Sequence, residues 1–183
     1  MREIVCMGGA FRCPGNITPV AEFNIYVDPD AAQTVLNTGI PLRFIPLDVT
    51  EKVLIRPEDL DARQRNACQP AQTSGLVSDG RFRCSTTSFL KDLLAHTFDF
   101  YTESVGFAGC HLHDPLAIAA LIWPELFRFR EAFVEVETMG EVARGMTVAD
   151  LRQRRDPPAP NCAFAESVDA VSAGERVMAR LLG

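Results

Sequence analysis

Residues 23–47 read FNIYVDPDAAQTVLNTGIPLRFIPL and combine two kinds of pattern. Phe23–Val27 and Leu42–Leu47 are short apolar runs with the length of buried strands. Between them, Asp28 and Pro29 mark a helix start, because Asp28 can accept hydrogen bonds from free backbone amides and proline suits the first helical turn. The stretch predicts a strand–helix–strand unit, the repeat of an α/β protein with a parallel sheet.

The flanking segments extend this pattern. Residues 3–7 form an apolar run ended by Gly8-Gly9, which predicts another buried strand. Helices are predicted over residues 57–66, 85–105, 114–123 and 169–182, a hairpin or edge pair over 133–138 and 144–148, and surface connections over 69–80 and 152–160. We therefore expect an α/β fold with an open, mostly parallel sheet flanked by helices.

Composition narrows the class of protein. With 183 residues, of which 47% are hydrophobic, the chain can bury the core of one globular domain. Its net charge of −6 predicts no nucleic-acid partner. The apolar run Leu116–Trp123 is far shorter than the roughly 20 residues that cross a bilayer, and the N-terminus lacks a secretory pattern. We expect a cytoplasmic protein with no membrane partner.

The six cysteines show no C-x-x-C pair. In a chain of this length without an export pattern, free thiols are favoured over disulfides. The cysteines are Cys6, Cys13, Cys68, Cys84, Cys110 and Cys162.

A first group of candidate site residues follows the strand at residues 3–7. Glu22 and Asn24 alternate around Phe23, so on a strand both side chains would point the same way. A carboxylate beside an amide suits a polyol such as a sugar, whose hydroxyls both donate and accept. Gly8-Gly9 either allows close approach of a ligand or forms an ordinary turn. Asn16 is likewise either a residue of the site or an ordinary turn residue.

A second group is Cys110-His111-Leu112-His113-Asp114, directly before a predicted helix. Three interpretations compete: Asp114 is only a helix N-cap, the segment ligates zinc, or Asp114 binds a hard cation or a hydroxyl while His113 acts as an acid. Zinc is disfavoured because no second Cys/His pair exists elsewhere in the sequence. The role of His111 is open.

Together these motifs resemble the inosine–uridine nucleoside hydrolases. The similar segments are Met7-Gly8-Gly9, Gly15-Asn16, Ala21-Glu22-Phe23-Asn24 with Asp28-Pro29-Asp30-Ala31-Ala32, Leu47-Asp48-Val49-Thr50 and His113-Asp114-Pro115-Leu116-Ala117. Their order and spacing match over nearly the whole chain. The resemblance implies an open α/β fold and a Ca²⁺-dependent enzyme that hydrolyses the N-glycosidic bond of ribonucleosides to ribose and free base.

The resemblance also implies roles for individual residues. Asn16, Glu22 and Asn24 would bind the ribose hydroxyls, with Met7 lining the sugar pocket and Phe23 near the nucleoside. Asp114 would ligate Ca²⁺ and contact the ribose diol, and His113 would give a proton to the departing base. Such residues fit a reaction that places positive charge on the sugar and electrons on the base.

One family hallmark is absent from residues 1–183. Family members carry an aspartate cluster of the form D-x-D-x-x-x-D-D after their first strand, and here residues 3–7 lead into Gly8-Gly9 instead. We therefore expect residues 1–183 to be the C-terminal part of a nucleoside-hydrolase-like domain, without the N-terminal βα units. Three explanations stay open: a reading frame that starts upstream, a partner chain that completes the site, and a remnant that binds nucleoside or ribose without catalysis. A homo-oligomer and a purely structural subunit are further alternatives.

Overall fold

The computed structural model describes residues 1–67 and 80–182, with the side chains of 1–63 and 88–182. The strands are β1 Ile4–Met7, β2 Leu42–Ile45, β3 Leu54–Ile55, β4 Cys110–His111, β5 Phe127–Ala132, β6 Val134–Val136, β7 Thr147–Ala149 and β8 Cys162–Val168. The helices are α1 Phe23–Val27, α2 Pro29–Leu36, α3 Leu47–Thr50, α4 Pro57–Ala67, α5 Gly80–Ser104, α6 Asp114–Ile122 and α7 Ala170–Leu182, and a 3-10 turn spans Pro124–Leu126.

The main sheet has the strand order β1-β2-β8-β5. Strands β1, β2 and β8 run parallel, and β5 pairs antiparallel with β8. Helix α6 packs against β1 and α3 against β8. This arrangement confirms the predicted α/β fold with a mostly parallel sheet flanked by helices.

The core of this sheet contains two phenylalanines on neighbouring strands. Phe44 of β2 lies opposite Phe164 of β8, and both are buried. Phe11, in the segment after β1, stacks on Phe164 with ring centroids 4.4 Å apart. The same aromatic group therefore stabilises the sheet and the segment that leaves the carboxyl end of β1.

The chain forms two compact units. The first comprises Met1–Val53 and His113–Ala173 and contains the main sheet and the β6–β7 pair. The second comprises Leu54–Leu112 and Gly174–Gly183, in which α4 packs against α5 and the short strands β3 and β4 pair antiparallel.

One predicted strand is wrong. Phe23–Val27 is the helix α1, because Glu22 caps it: the Glu22 carboxylate accepts hydrogen bonds from the amides of Asn24 and Ile25. The β-prone side chains of the segment are outweighed by this cap and by burial of Ile25 against the core. Strands β5 and β8 were not predicted from the sequence.

Other predictions are confirmed. The strands at 3–7 and 42–47, the predicted helices and the antiparallel pairing of β6 with β7 are all present, with shifted ends. The predicted loop at 69–80 lies outside the described residues except for Gly80, where α5 begins. No helix in the described ranges is long and apolar enough to cross a membrane.

Free thiols are confirmed at four cysteines, namely Cys6, Cys13, Cys110 and Cys162. Burial raises the pKa of all four, and it raises those of Cys13 and Cys162 to about 12. These thiols are therefore protonated at neutral pH and are weak nucleophiles. Cys68 and the side chain of Cys84 lie outside the described part of the chain.

Candidate active site

Four consecutive backbone amides after β1, those of residues 9–12, are each bound by a side-chain oxygen. The first donates to Glu22 Oε2 (3.2 Å), the second to Thr147 Oγ1 (3.0 Å), and the third and fourth to the two oxygens of Asp48 (2.9 and 2.8 Å). Three distant segments therefore hold this turn in place. Because these amides are already satisfied, the turn does not act as a phosphate-binding loop.

The double glycine has two separate structural causes. At Gly8, an added Cβ would lie 3.1 Å from Ile25 Cδ1 and 3.3 Å from Glu22 Oε2, closer than ordinary packing allows. Gly9 has φ +86°, a left-handed conformation that glycine adopts without strain. Gly8 thus lets the carboxyl end of β1 approach the start of α1, and Gly9 lets the chain turn away from the strand.

Glu22 lies at the centre of this region with 1% of its surface exposed. Its Oε2 accepts from the amides of Gly9 and Ile25, and its Oε1 accepts from the amide of Asn24 (2.9 Å). The strand alternation predicted for Glu22 and Asn24 is wrong, since Glu22 is the buried cap of a helix and Asn24 is an exposed residue of its first turn. Both side chains nevertheless reach the carboxyl end of β1, where Glu22 accepts from the amide of Gly9 and Asn24 donates to the carbonyl of Met7.

The other residues of the first group gather at the same place. Asn24 Nδ2 donates to the carbonyl oxygen of Met7 (3.2 Å) and contacts its sulfur (3.3 Å). Asn16 Oδ1 accepts from the amide of Phe23 (2.9 Å). The Phe23 ring is about half exposed beside them. The structure therefore brings Met7, Asn16, Glu22, Phe23 and Asn24 together at the carboxyl end of β1, the edge where open parallel sheets bind ligands.

Each asparagine keeps one end of its amide available. Among the described residues, none binds the Nδ2 group of Asn16 or the Oδ1 atom of Asn24. Both residues are exposed. The surface near Phe23 thus offers a hydrogen-bond donor on Asn16 and an acceptor on Asn24, a combination that matches a hydroxyl group.

The second group opens helix α6, which packs against β1. His113 is the N-cap residue, and its Nδ1 lies 2.8 Å from the hydroxyl of Thr50. Asp114 is the first helical residue and is exposed, with no hydrogen bond to its carboxylate from the described residues. Asp114 is therefore not the N-cap that one interpretation of the sequence predicted, and its carboxylate is available to a ligand.

Cys110 and His111 form β4 and belong to the second unit, whereas His113 and Asp114 belong to the first. The His111 ring lies against Tyr101 and Phe107, with centroids 5.7 and 5.2 Å away. Burial lowers the pKa of His111. These contacts favour a packing role for His111 over ligation of a metal.

The described residues do not assemble a complete metal centre. No group of three or more His, Cys, Asp and Glu side chains comes together within residues 1–63 and 88–182. Ca²⁺ takes about six to eight oxygen ligands. Asp114 alone therefore does not fit a calcium site, although its carboxylate could supply one ligand of such a site.

A model of the inosine-uridine preferring nucleoside hydrolase family matches residues 1–173. The chain belongs to this family. The resemblance inferred from the motifs is thus confirmed, and the match covers both groups of candidate site residues. The family is known to bind a metal ion.

The relatives agree with this assignment. The chain is 43% identical over 153 residues to the pyrimidine-specific ribonucleoside hydrolase RihA of Citrobacter koseri, covering 81% of this chain and 42% of that protein. It is 42% identical over 172 residues to RihA of Shigella boydii serotype 4, covering 91% and 48%. The chain therefore spans about half the length of the curated relatives it matches.

Solved structures show the same fold. A purine-preferring ribonucleoside hydrolase from Gardnerella vaginalis superposes with a TM-score of 0.77 at 29% identity, over 97% of this chain and 51% of that chain. The plant nucleoside hydrolase PpNRh1 gives a TM-score of 0.79 at 24% identity, over 97% and 52%. The α/β fold is thus that of the nucleoside hydrolases.

Three residues that support the site were not identified as such from the sequence. Asp48 and Thr50 stand in the segment Leu47-Asp48-Val49-Thr50, which carried part of the resemblance without indicating their hydrogen bonds. Thr147 is buried and both donates to and accepts from Ala10, 137 residues away. No local pattern around Thr147 signals this contact.

Proposed function

We propose that this chain takes part in the hydrolysis of the N-glycosidic bond of ribonucleosides, giving ribose and free base. The observation that carries the proposal is the pair of available amide ends on Asn16 and Asn24 beside Phe23 at the carboxyl end of β1. A ribose presents hydroxyls that need both a donor and an acceptor. Family membership supports the same conclusion.

In this proposal the first group binds the sugar. Asn16 and Asn24 contact ribose hydroxyls through their available amide ends, and Met7 and Phe23 line the pocket. Glu22 binds a hydroxyl through Oε1, which accepts a single hydrogen bond from the described residues. Because Glu22 also holds the turn and α1, one carboxylate would fix both the substrate and the residues around it.

The second group acts on the reacting bond. His113 gives a hydrogen bond and a proton to the departing base, where electrons accumulate as the bond breaks. Asp114 contacts the ribose diol and would supply one carboxylate ligand to a bound calcium ion. The calcium ion, when bound, would lower the pKa of a water molecule and orient it. Its other ligands are not among the groups that the described residues assemble.

The proposed substrates include both purine and pyrimidine ribonucleosides. The curated relatives are named pyrimidine-specific and one structural relative is named purine-preferring. We propose a ribonucleoside as the small-molecule partner, with inosine and uridine as the two test substrates, and the cytoplasm as the place of action.

A second candidate is a nucleoside- or ribose-binding remnant, or a subunit that needs a partner chain for catalysis. It is favoured by one observation: the sugar-binding groups come together, whereas no three-ligand metal group forms among the described side chains. This candidate predicts that the 183-residue protein binds ribonucleosides without turning them over.

The Asp114→Ala substitution separates the two candidates. With millimolar Ca²⁺, we expect it to reduce the release of reducing sugar from inosine and uridine at least about tenfold, because it removes the carboxylate proposed to contact the ribose diol. The control is Asp30→Ala, which removes an exposed carboxylate from the first turn of α2 and should leave the rate unchanged. Full activity in Asp114→Ala would contradict the proposed role, and binding without turnover in the unmodified chain would support the second candidate.

A further inference from the structure

The Thr50 hydroxyl is enclosed in the protein and has one hydrogen-bond partner. Thr50 ends α3 and has no exposed surface. Its amide donates to the carbonyl of Pro46 (3.1 Å) and its carbonyl accepts from Val53 (3.3 Å), so its backbone is fixed. Among the described residues, the sole partner of its hydroxyl is Nδ1 of His113, at 2.8 Å.

The direction of this hydrogen bond follows from the burial. A buried hydroxyl needs an acceptor for its hydrogen, and leaving it without one is costly. If Nδ1 of His113 carried the hydrogen and donated, the hydrogen of Thr50 would have no acceptor among the described residues. The hydroxyl therefore donates, Nδ1 accepts, and the neutral ring carries its hydrogen on Nε2.

We propose that Thr50 is a positioning residue that donates to Nδ1 of His113 and holds the neutral ring as its Nε2–H tautomer. The side chain suits the task, because a β-branched residue has a restricted χ1 angle and holds its hydroxyl in one direction. Helix α3 is itself anchored to the turn after β1, since the amide of Leu47 donates to the carbonyl of Gly9 (2.9 Å). Thr50 thus links His113 to the segment that carries the sugar-binding group.

The consequence for the site is a fixed hydrogen-bond donor. An Nε2–H group can stabilise negative charge that develops on the departing base, and a donor oriented in advance needs no rearrangement during the reaction. The proton that His113 gives to the departing base would then leave Nε2, while Nδ1 keeps its hydrogen bond from Thr50. Only this consequence rests on the proposed function, whereas the tautomer itself rests on the Thr50 contact.

Nitrogen NMR of the imidazole rings tests the proposal in the 183-residue chain without any activity measurement. Long-range ¹H–¹⁵N correlation distinguishes protonated from unprotonated ring nitrogens, and the three histidines give few signals, with His113 assigned through His113→Gln. The spectra are recorded at about pH 8, above the ordinary histidine pKa of about 6.5. We expect His113 to show a protonated Nε2 and an unprotonated, hydrogen-bonded Nδ1.

Two variants of Thr50 complete the test. Thr50→Val keeps the volume and removes the donor, so the Nδ1 signal of His113 should move and report exchange between both tautomers. Thr50→Ser keeps the hydroxyl and should preserve the original spectrum, and the signals of His96 and His111 serve as internal controls of folding. An Nδ1–H tautomer in the unmodified chain, or a Thr50→Val spectrum of His113 identical to the original, would overturn the proposal. Loss of the proposed hydrolytic function would leave this result unaffected.

Discussion

The Glu22→Ala variant is expected to lose about 3 kcal/mol of unfolding free energy, since a buried amide left without its acceptor costs about 1–3 kcal/mol. The substitution removes the acceptor of three backbone amides, those of Gly9, Asn24 and Ile25. It also removes the N-cap of α1. Urea unfolding of the variant and of the unmodified chain gives the difference directly.

Controls separate the carboxylate of Glu22 from a general effect of losing a glutamate. Glu135→Ala removes an exposed carboxylate from β6 and should change the unfolding free energy by less than about 0.5 kcal/mol. Glu22→Gln keeps one carbonyl acceptor and should lie between the two. A Glu22→Ala variant as stable as Glu135→Ala would show that the hydrogen bonds of Glu22 do not hold the turn.

The Phe164→Ala variant is expected to be less stable by about 3–5 kcal/mol, the usual cost of removing a buried phenylalanine side chain. Phe164 is fully buried in β8, opposite Phe44, and it stacks on Phe11 with an angle of 17° between the rings. Since Phe11 belongs to the segment that Asp48 and Glu22 hold, the resulting cavity should also loosen the candidate site.

Thermal and urea unfolding measure this effect, and Phe89→Ala is the matched control. Phe89 lies on α5 with 63% of its surface exposed, so its truncation should cost less than about 1 kcal/mol. Equal destabilisation by the two substitutions would contradict the placement of Phe164 in the core of the main sheet.

The fold was predictable where local chemistry and tertiary structure agree. The apolar run at residues 3–7 and the cap formed by Asp28 with Pro29 gave β1 and α2 correctly, because burial and capping act on those residues directly. The secondary structure of residues 23–27 was predicted wrongly because local preference and tertiary structure disagree there. Its side chains favour a strand, and a single capping carboxylate from Glu22 makes it a helix.

Strand β8 could not be predicted from its local sequence. It lies between β2 and β5 in the main sheet, although its sequence CAFAESV includes two alanines, a glutamate and a serine. Small side chains give a weak strand signal by themselves. Pairing on both edges and burial of Phe164 make the segment a strand, and its pairing partners lie 30 or more positions away in the sequence.

The candidate site was predictable as a set of residues and not as an arrangement. The motifs identified Met7, Asn16, Glu22 and Asn24, and the structure brings them together. The burial of Glu22 and the contact of Thr147 with Ala10 could not be predicted, since both arise from long-range packing. The functional roles of these residues stay predictions.

Equilibrium binding of inosine and uridine to the 183-residue chain is the most direct test of the claim that residues around the end of β1 form a ribose site. Calorimetric titration should show binding to the unmodified chain and at least about a tenfold loss in Asn24→Ala, the equivalent of about 1.4 kcal/mol. The control Asn37→Ala, at the C-terminal end of α2, should bind normally. Equal binding by Asn24→Ala, or no binding by the unmodified chain, would contradict the account.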